Sequence, residues 1–143
     1  MQNPFFNKPL LVSGAILFLL GLIQGAIVDQ FANPRMALSA HLTAVQCAMA
    51  IMIAGIIWPV IDLPPLLEKL SLWAIPVSMY ALWLGLSLSA ATGASEALPI
   101  AGAGYHASAQ IEAVVTILVM GSSGLMVIGW ALLVLGLLRG KFG

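Results

Sequence analysis

Four apolar runs, residues 10–28, 34–61, 70–90 and 111–138, each match or exceed the roughly 20 helical residues that cross a hydrocarbon layer about 30 Å thick. No other feature restricts the fold so sharply. Inside a bilayer every backbone N–H and C=O must find its partner within the protein, which leaves helices or a closed barrel. Barrel strands alternate polar and apolar residues, and none of the four runs does. The expectation is an all-α integral membrane protein, a four-transmembrane-helix bundle forming a single domain over residues 1–143. Composition agrees: 62% of residues are hydrophobic and 7% charged. A soluble domain cannot bury that much apolar surface, so membrane lipid acts as the solvent. The first run is longer than the usual apolar core of a signal peptide, and no small-residue cleavage pattern follows it, so it reads as a span.

Charge is scarce and balanced. Five basic and five acidic residues cancel, which leaves no basic face for nucleic acid. Lys8, Lys69, Arg139 and Lys141 share one side of the bundle, whereas Arg35 stands alone on the other. The excess of basic residues marks the cytoplasmic side. Both termini are therefore expected in the cytoplasm, with the bacterial inner membrane as location. Trp58 and Trp73 flank the inner loop, where indoles favour the interface. One cysteine, Cys47, precludes a disulfide framework within the chain and is expected as a small buried hydrophobe. Gly14, Phe18, Gly21 and Gly25 lie along one face, with "GLIQG" giving a GxxxG pair, and "GSSG", Gly129 and Gly136 follow in the last run. Small residues let helices approach closely, within a chain or between subunits.

The few polar residues in the spans are gathered at one depth. Asn33 is an expected N-cap and Pro34 a first helical residue. At about 1.5 Å per residue, His41 then lies roughly 10 Å inside the outer end. Gln24, Gln46, Trp83, Ser87 and Thr116 fall in the same outer half, with Tyr80 nearer the middle, whereas 51–61 holds no ionisable or amide side chain. Such a zone suggests an outer pocket. Ionisable groups in membrane helices usually face the protein interior. His41 is thus either a neutral, hydrogen-bonded ring or a metal ligand. No histidine or carboxylate follows at i+3 or i+4, which argues against a multi-ligand protein site, but one axial ligand suffices for haem. Ala37, Ala40, Ala44 and Ala48 leave room for a flat macrocycle. Arg35 is an interfacial cation for a lipid phosphate, or a partner for Asp29 or a haem propionate. Tyr80 lines up with Trp73 and Ser87 on one helix face. Glu112 is expected to cap the last helix and His106 to sit in an exposed loop.

The strings "FLLGLIQG", "FANPRMALSAHL" and "GIIWP", with "LPIAGAGYHASAQIE" before the last run, resemble the hydroxylaminobenzene mutase family over most of the chain. The "NPRM-x-LS-x-HL" run is the most specific part. A more distant resemblance is to styrene oxide isomerases, whose membrane histidine ligates haem b between the subunits of a trimer. On that comparison His41 matches the haem ligand and a homo-oligomer is implied. The resemblance implies an isomerase that converts a small aromatic substrate, hydroxylaminobenzene, to 2-aminophenol, with ferric haem as Lewis acid. Tyr80 and Gln46 are then candidates for hydrogen bonds to substrate, and Cys47, Trp83 and Thr116 for the pocket wall. Both families tend to carry asparagine where this chain has Cys47, and the mutases often carry another where it has Leu82. An epoxide-to-aldehyde isomerase is the alternative within this chemistry. A non-catalytic haem carrier would need a second axial ligand, with Met49 or Met52 as possible partners. A small transporter would need an embedded carboxylate, and Asp29 and Glu112 lie near helix ends.

Overall fold

The computed structural model describes residues 5–140, so the Lys141 assigned above to the basic side lies outside the described residues. Within them there are four long helices and no strand: α1 (Lys8–Ala26), α2 (Pro34–Ile57), α3 (Pro65–Thr92) and α4 (Ala109–Arg139). All four are long and apolar enough to cross a bilayer.

The helix starts follow from local chemistry. Asn7 Oδ1 accepts from Leu10 N at 3.1 Å, and Asn33 Oδ1 accepts from Met36 N at 3.1 Å. Each satisfies an amide that the first turn leaves without an intrahelical partner. Two boundaries differ from the sequence expectation by more than two residues. α2 stops at Ile57 and continues only as a 3₁₀ turn, Trp58–Val60, because Pro59 brings no N–H and crowds the preceding turn. α3 begins at Pro65, five residues before the expected start at residue 70. The prolines of "DLPPLLEKL" open the helix instead of breaking it, since proline is tolerated in the first turn and Glu68 there meets the positive end of the dipole. Glu68 Oε1 also accepts from Trp58 Nε1 at 3.2 Å, closing the turn between α2 and α3.

The helices form two antiparallel hairpins, α1 with α2 and α3 with α4, joined mainly along α2 and α3. α1 touches α3 only lightly. Small side chains occupy the interior: Ala37, Ala40, Ala44, Ala48 and Ala54 are wholly buried on α2, and Ser71, Ser78 and Ser89 on α3. Large apolar residues such as Leu19, Ile23, Ile53, Ile117 and Val127 point outward. Larger side chains such as Leu17, Ile51, Ile75 and Leu133 are buried among the small ones, and the small ones let the helices approach closely, as in membrane bundles. Gly14 shows how close: a β-carbon there would lie 2.7 Å from the Ala48 carbonyl oxygen. Gly121 and Gly124 of "GSSG" face open space instead.

Both long connections, 27–33 and 93–108, lie at one end of the bundle, here termed the loop end. Gly93, at φ +82°, takes the left-handed conformation that terminates α3. The 93–108 segment is then pinned at several points. Asn33 Nδ2 donates to Ala101 O at 3.0 Å, while Asn33 N donates to Ala90 O at the end of α3 at 2.9 Å. Arg35 Nη2 donates to Ala103 O at 2.5 Å.

Candidate functional site

His41 sits half-buried where α2 meets the GxxxG segment of α1. Its Nδ1 is 2.8 Å from Gly21 O. A carbonyl oxygen can only accept, so Nδ1 carries the proton and Nε2 holds the lone pair. No hydrogen bond among the described residues uses Nε2. A ring whose Nδ1–H is bonded to a backbone carbonyl has a fixed tautomer and a more basic outer nitrogen, as metal-binding histidines commonly do. The residues therefore fit a single axial haem ligand. They do not offer a protein-only metal site, since no group of three His, Cys, Asp or Glu side chains comes together among the described residues.

A second polar centre joins α1 to α3 at the same depth. Gln24, 5% exposed, accepts from Trp83 Nε1 at 2.6 Å and donates from Nε2 to Ser87 Oγ at 3.0 Å. The sequence placed Gln24 in the outer zone but did not single it out as a hub. Matching depths of Gln24, Trp83 and Ser87 were the available signal. Towards the other end, Tyr80 donates from its hydroxyl to Ser13 O at 2.8 Å. It lines a laterally open, apolar cavity of about 690 Å³, together with Pro9, Ser13, Leu72, Pro76 and Leu118. Pro76 lacks the N–H that would bond the Leu72 carbonyl, so that polar atom lies beside the cavity. A smaller cavity, about 340 Å³, lies under the loop at Met36, Ser39, Leu86 and Ile100.

The structure brings some of the expected site residues together and separates others. Cys47, Tyr80 and Trp83 pack on one apolar cluster with Met79, between α2 and α3. His41 packs against Gly21 and Gly25 of α1 and lines neither cavity. Gln46 is exposed, on the outward face shared by Leu42, Met49 and Ile53. At 100° per residue it stands about 140° around α2 from His41. Thr116 is half-buried on α4 and lines neither cavity. Arg35 bonds the loop carbonyl of Ala103, and no ion pair with Asp29 is found among the described residues. Met49 is 44% exposed and Met52 packs against Gly14, so neither stands ready as a second axial ligand to His41.

Glu112 does more than open α4. The residue is 4% exposed, and its carboxylate accepts from Ser95 N and Glu96 N at 3.0 Å and from Ala107 N at 3.2 Å. It staples both ends of the 93–108 loop to the start of α4. His106, on that loop, is exposed.

The chain matches the family described as SOI: styrene oxide isomerase over residues 6–138. It is 37% identical over 131 residues to a protein of Ectopseudomonas oleovorans named hydroxylaminobenzene mutase HabA, covering 91% of this chain and 97% of that one. A protein of the same organism named hydroxylaminobenzene mutase HabB is 34% identical over 142 residues, covering 96% of this chain and 87% of that one. No solved structure matches it significantly.

Proposed function

Because the chain belongs to the styrene oxide isomerase family and is an isomerase, we propose that it rearranges a small aromatic hydroxylamine within the bacterial inner membrane, with both termini in the cytoplasm. The substrate is the one in its relatives' names, hydroxylaminobenzene, and the product that the resemblance implies is 2-aminophenol. The N–O bond breaks, oxygen bonds the adjacent ring carbon, and the proton leaving that carbon ends on nitrogen. Nothing is consumed and no net redox change occurs. The observation that carries the reading is His41, whose Nδ1 is committed to Gly21 O and whose Nε2 is free to ligate.

His41 would hold haem b through Nε2, with Arg35 as the cation for a propionate. The iron, when bound, supplies a Lewis acid for the oxygen that separates from nitrogen. The chain's own residues do the rest. The apolar helix faces keep water from the cationic ring that forms as the N–O bond breaks, so that no outside nucleophile captures it. The groove beside Tyr80 opens sideways, the direction from which a lipid-soluble arene arrives. With its proton given to Ser13 O, the Tyr80 hydroxyl keeps lone pairs that would accept from the N–H of a substrate entering through that groove. Cys47 and Trp83 wall the core beside it, with Thr116 and Gln46 further out as candidate polar contacts. A homotrimer is part of this reading, through the isomerase branch of the family.

The test is a purified, haem-replete sample with its His41→Ala variant, assayed for 2-aminophenol from hydroxylaminobenzene by chromatography. A Soret band and product formation in the parent, both lost in the variant, are expected. Turnover that survives His41→Ala at the parental rate would overturn the role of His41. The family description favours a second reading, isomerisation of styrene oxide, as an epoxide-to-aldehyde step. Turnover of the epoxide but not the hydroxylamine in the same assay would replace the first reading with it.

A further inference from the structure

The "GLIQG" pair reads in sequence as a helix-packing device, but its two glycines do different things. A β-carbon on Gly21 would lie 2.8 Å from Ala44 Cβ, so this glycine sets how closely α1 and α2 approach. A β-carbon on Gly25 would meet no backbone atom among its nearest neighbours. It would meet the His41 ring, 2.6 Å from Nδ1, 2.7 Å from Cε1 and 3.1 Å from Cγ. The missing methyl at Gly25 is thus the space the imidazole occupies, one turn along from the carbonyl it bonds.

We propose that Gly25 is a positioning residue for His41. It provides the seat that lets the ring reach Gly21 O, fixes the Nδ1–H tautomer and presents Nε2 as the ligating atom. The inference rests on the haem reading for its purpose but not for its geometry. Three consequences follow from the distances. The ring cannot keep its place once a β-carbon is added, because contacts under 3.0 Å are not tolerated and a backbone-anchored methyl has no freedom to rotate away. Losing the seat breaks the Nδ1–H bond to Gly21 O, and with it the preference for one tautomer. Removing an outer-shell partner of this kind typically weakens metal affinity by about 10–100-fold.

The experiment uses the full chain in nanodiscs, carrying His106→Gln so that His41 is the only histidine. Long-range proton–nitrogen correlation at pH 8, where imidazole is ordinarily neutral, reads which nitrogen holds the proton without any haem. The parent is expected in the Nδ1–H form and Gly25→Ala in a mixture of tautomers. Haem titration followed in the Soret region should then show about 10–100-fold weaker binding for Gly25→Ala. Gly14→Ala is the control. It crowds the same α1–α2 interface, with Met52 Cγ at 2.6 Å, but lies far from the ring. It should lower stability and leave tautomer and titration unchanged. A parent in the Nε2–H form overturns the proposal even if Gly25→Ala does not fold. So does a Gly25→Ala spectrum identical to the parent's, or a Gly14→Ala change equal to that of Gly25→Ala. An Nδ1–H parent that binds no haem leaves the seat standing and removes the haem reading instead.

Discussion

α1 and α3 touch only lightly, so the hydrogen bonds between them should carry much of their association, and the Gln24–Trp83 pair tests that. In Gln24→Leu the Trp83 indole N–H loses its acceptor at 2.6 Å, and Ser87 Oγ loses a donor at 3.0 Å. Ser87 can turn to its own helix, as serines do; the indole has no such recourse. A buried donor left without a partner costs about 1–3 kcal/mol, which is the loss expected for Gln24→Leu. Trp83→Phe removes the donor and some ring contact together. The informative quantity is their coupling, because the double variant leaves no orphaned indole. Hydrogen bonds between membrane helices couple by about 0.6 kcal/mol on average and at most about 1.7. At 2.6 Å and with Gln24 5% exposed, this pair belongs in the upper part of that range. Reversible unfolding in mixed micelles, followed by helical circular dichroism, gives all four corners of the cycle. Additivity within about 0.3–0.5 kcal/mol, the behaviour of independent sites, would refute the claim that this bond fastens α1 to α3.

Tyr80→Phe removes the other tether, the bond to Ser13 O, and should cost about 0.5–1.5 kcal/mol. Ser13 and Gln24 are roughly 16 Å apart along α1, so this loss should simply add to that of Gln24→Leu in the same unfolding assay. Glu112→Gln keeps the shape but loses the charge and one accepting oxygen, so backbone amides of residues 95–107 should exchange faster by mass spectrometry while those of α1 and α2 do not. Asn33→Ala removes both a cap and a buried loop tether and should cost about 1–2 kcal/mol. Arg35→Ala loses one exposed bond and should cost less; the reverse order in unfolding experiments would contradict the anchoring role given to Asn33.

The number and placement of helices were legible because span length and the Asn33–Pro34 start are written in the chain. The early start of α3 was not, since adjacent prolines read as a break until one knows that they occupy the first turn. Depth in the bundle was legible too: His41, Gln24, Trp83 and Ser87 do lie towards the loop end. Which side of its helix each occupies was harder. In a water-soluble helix, polar and apolar faces alternate with the 3.6-residue period. Here both faces are apolar, and the surviving contrast is size. On α2 most buried positions are small, among them Ala37, Ala40, Ala44, Cys47 and Ala48 beside the larger Met36 and Ile51, and the outward ones include Leu38, Leu42, Met49 and Ile53. Read by size, Gln46 falls into the outward series, and its separation from His41 becomes visible in the sequence.

The same contrast bears on enzyme against carrier. Most polar side chains in this bundle bond to backbone atoms: Tyr80 to Ser13 O, Ser71 to Gly129 O, Asn33 to Ala101 O, Glu112 to three amides. An apolar interior favours that choice, because a backbone group is always present and costs no second polar side chain. Donors so committed are withdrawn from ligand chemistry, although an oxygen such as that of Tyr80 keeps lone pairs with which to accept. Of the two nitrogen-bearing side chains in the body of α2, His41 leaves one nitrogen free, and Gln46 faces away from it. Met49 is outward and Met52 is held at Gly14. On the haem reading, the described side chains of α2 would therefore offer iron one axial ligand and not two. A carrier normally closes both axial positions, whereas an isomerase must leave one for substrate, and a lone histidine seated on two glycines meets the second requirement.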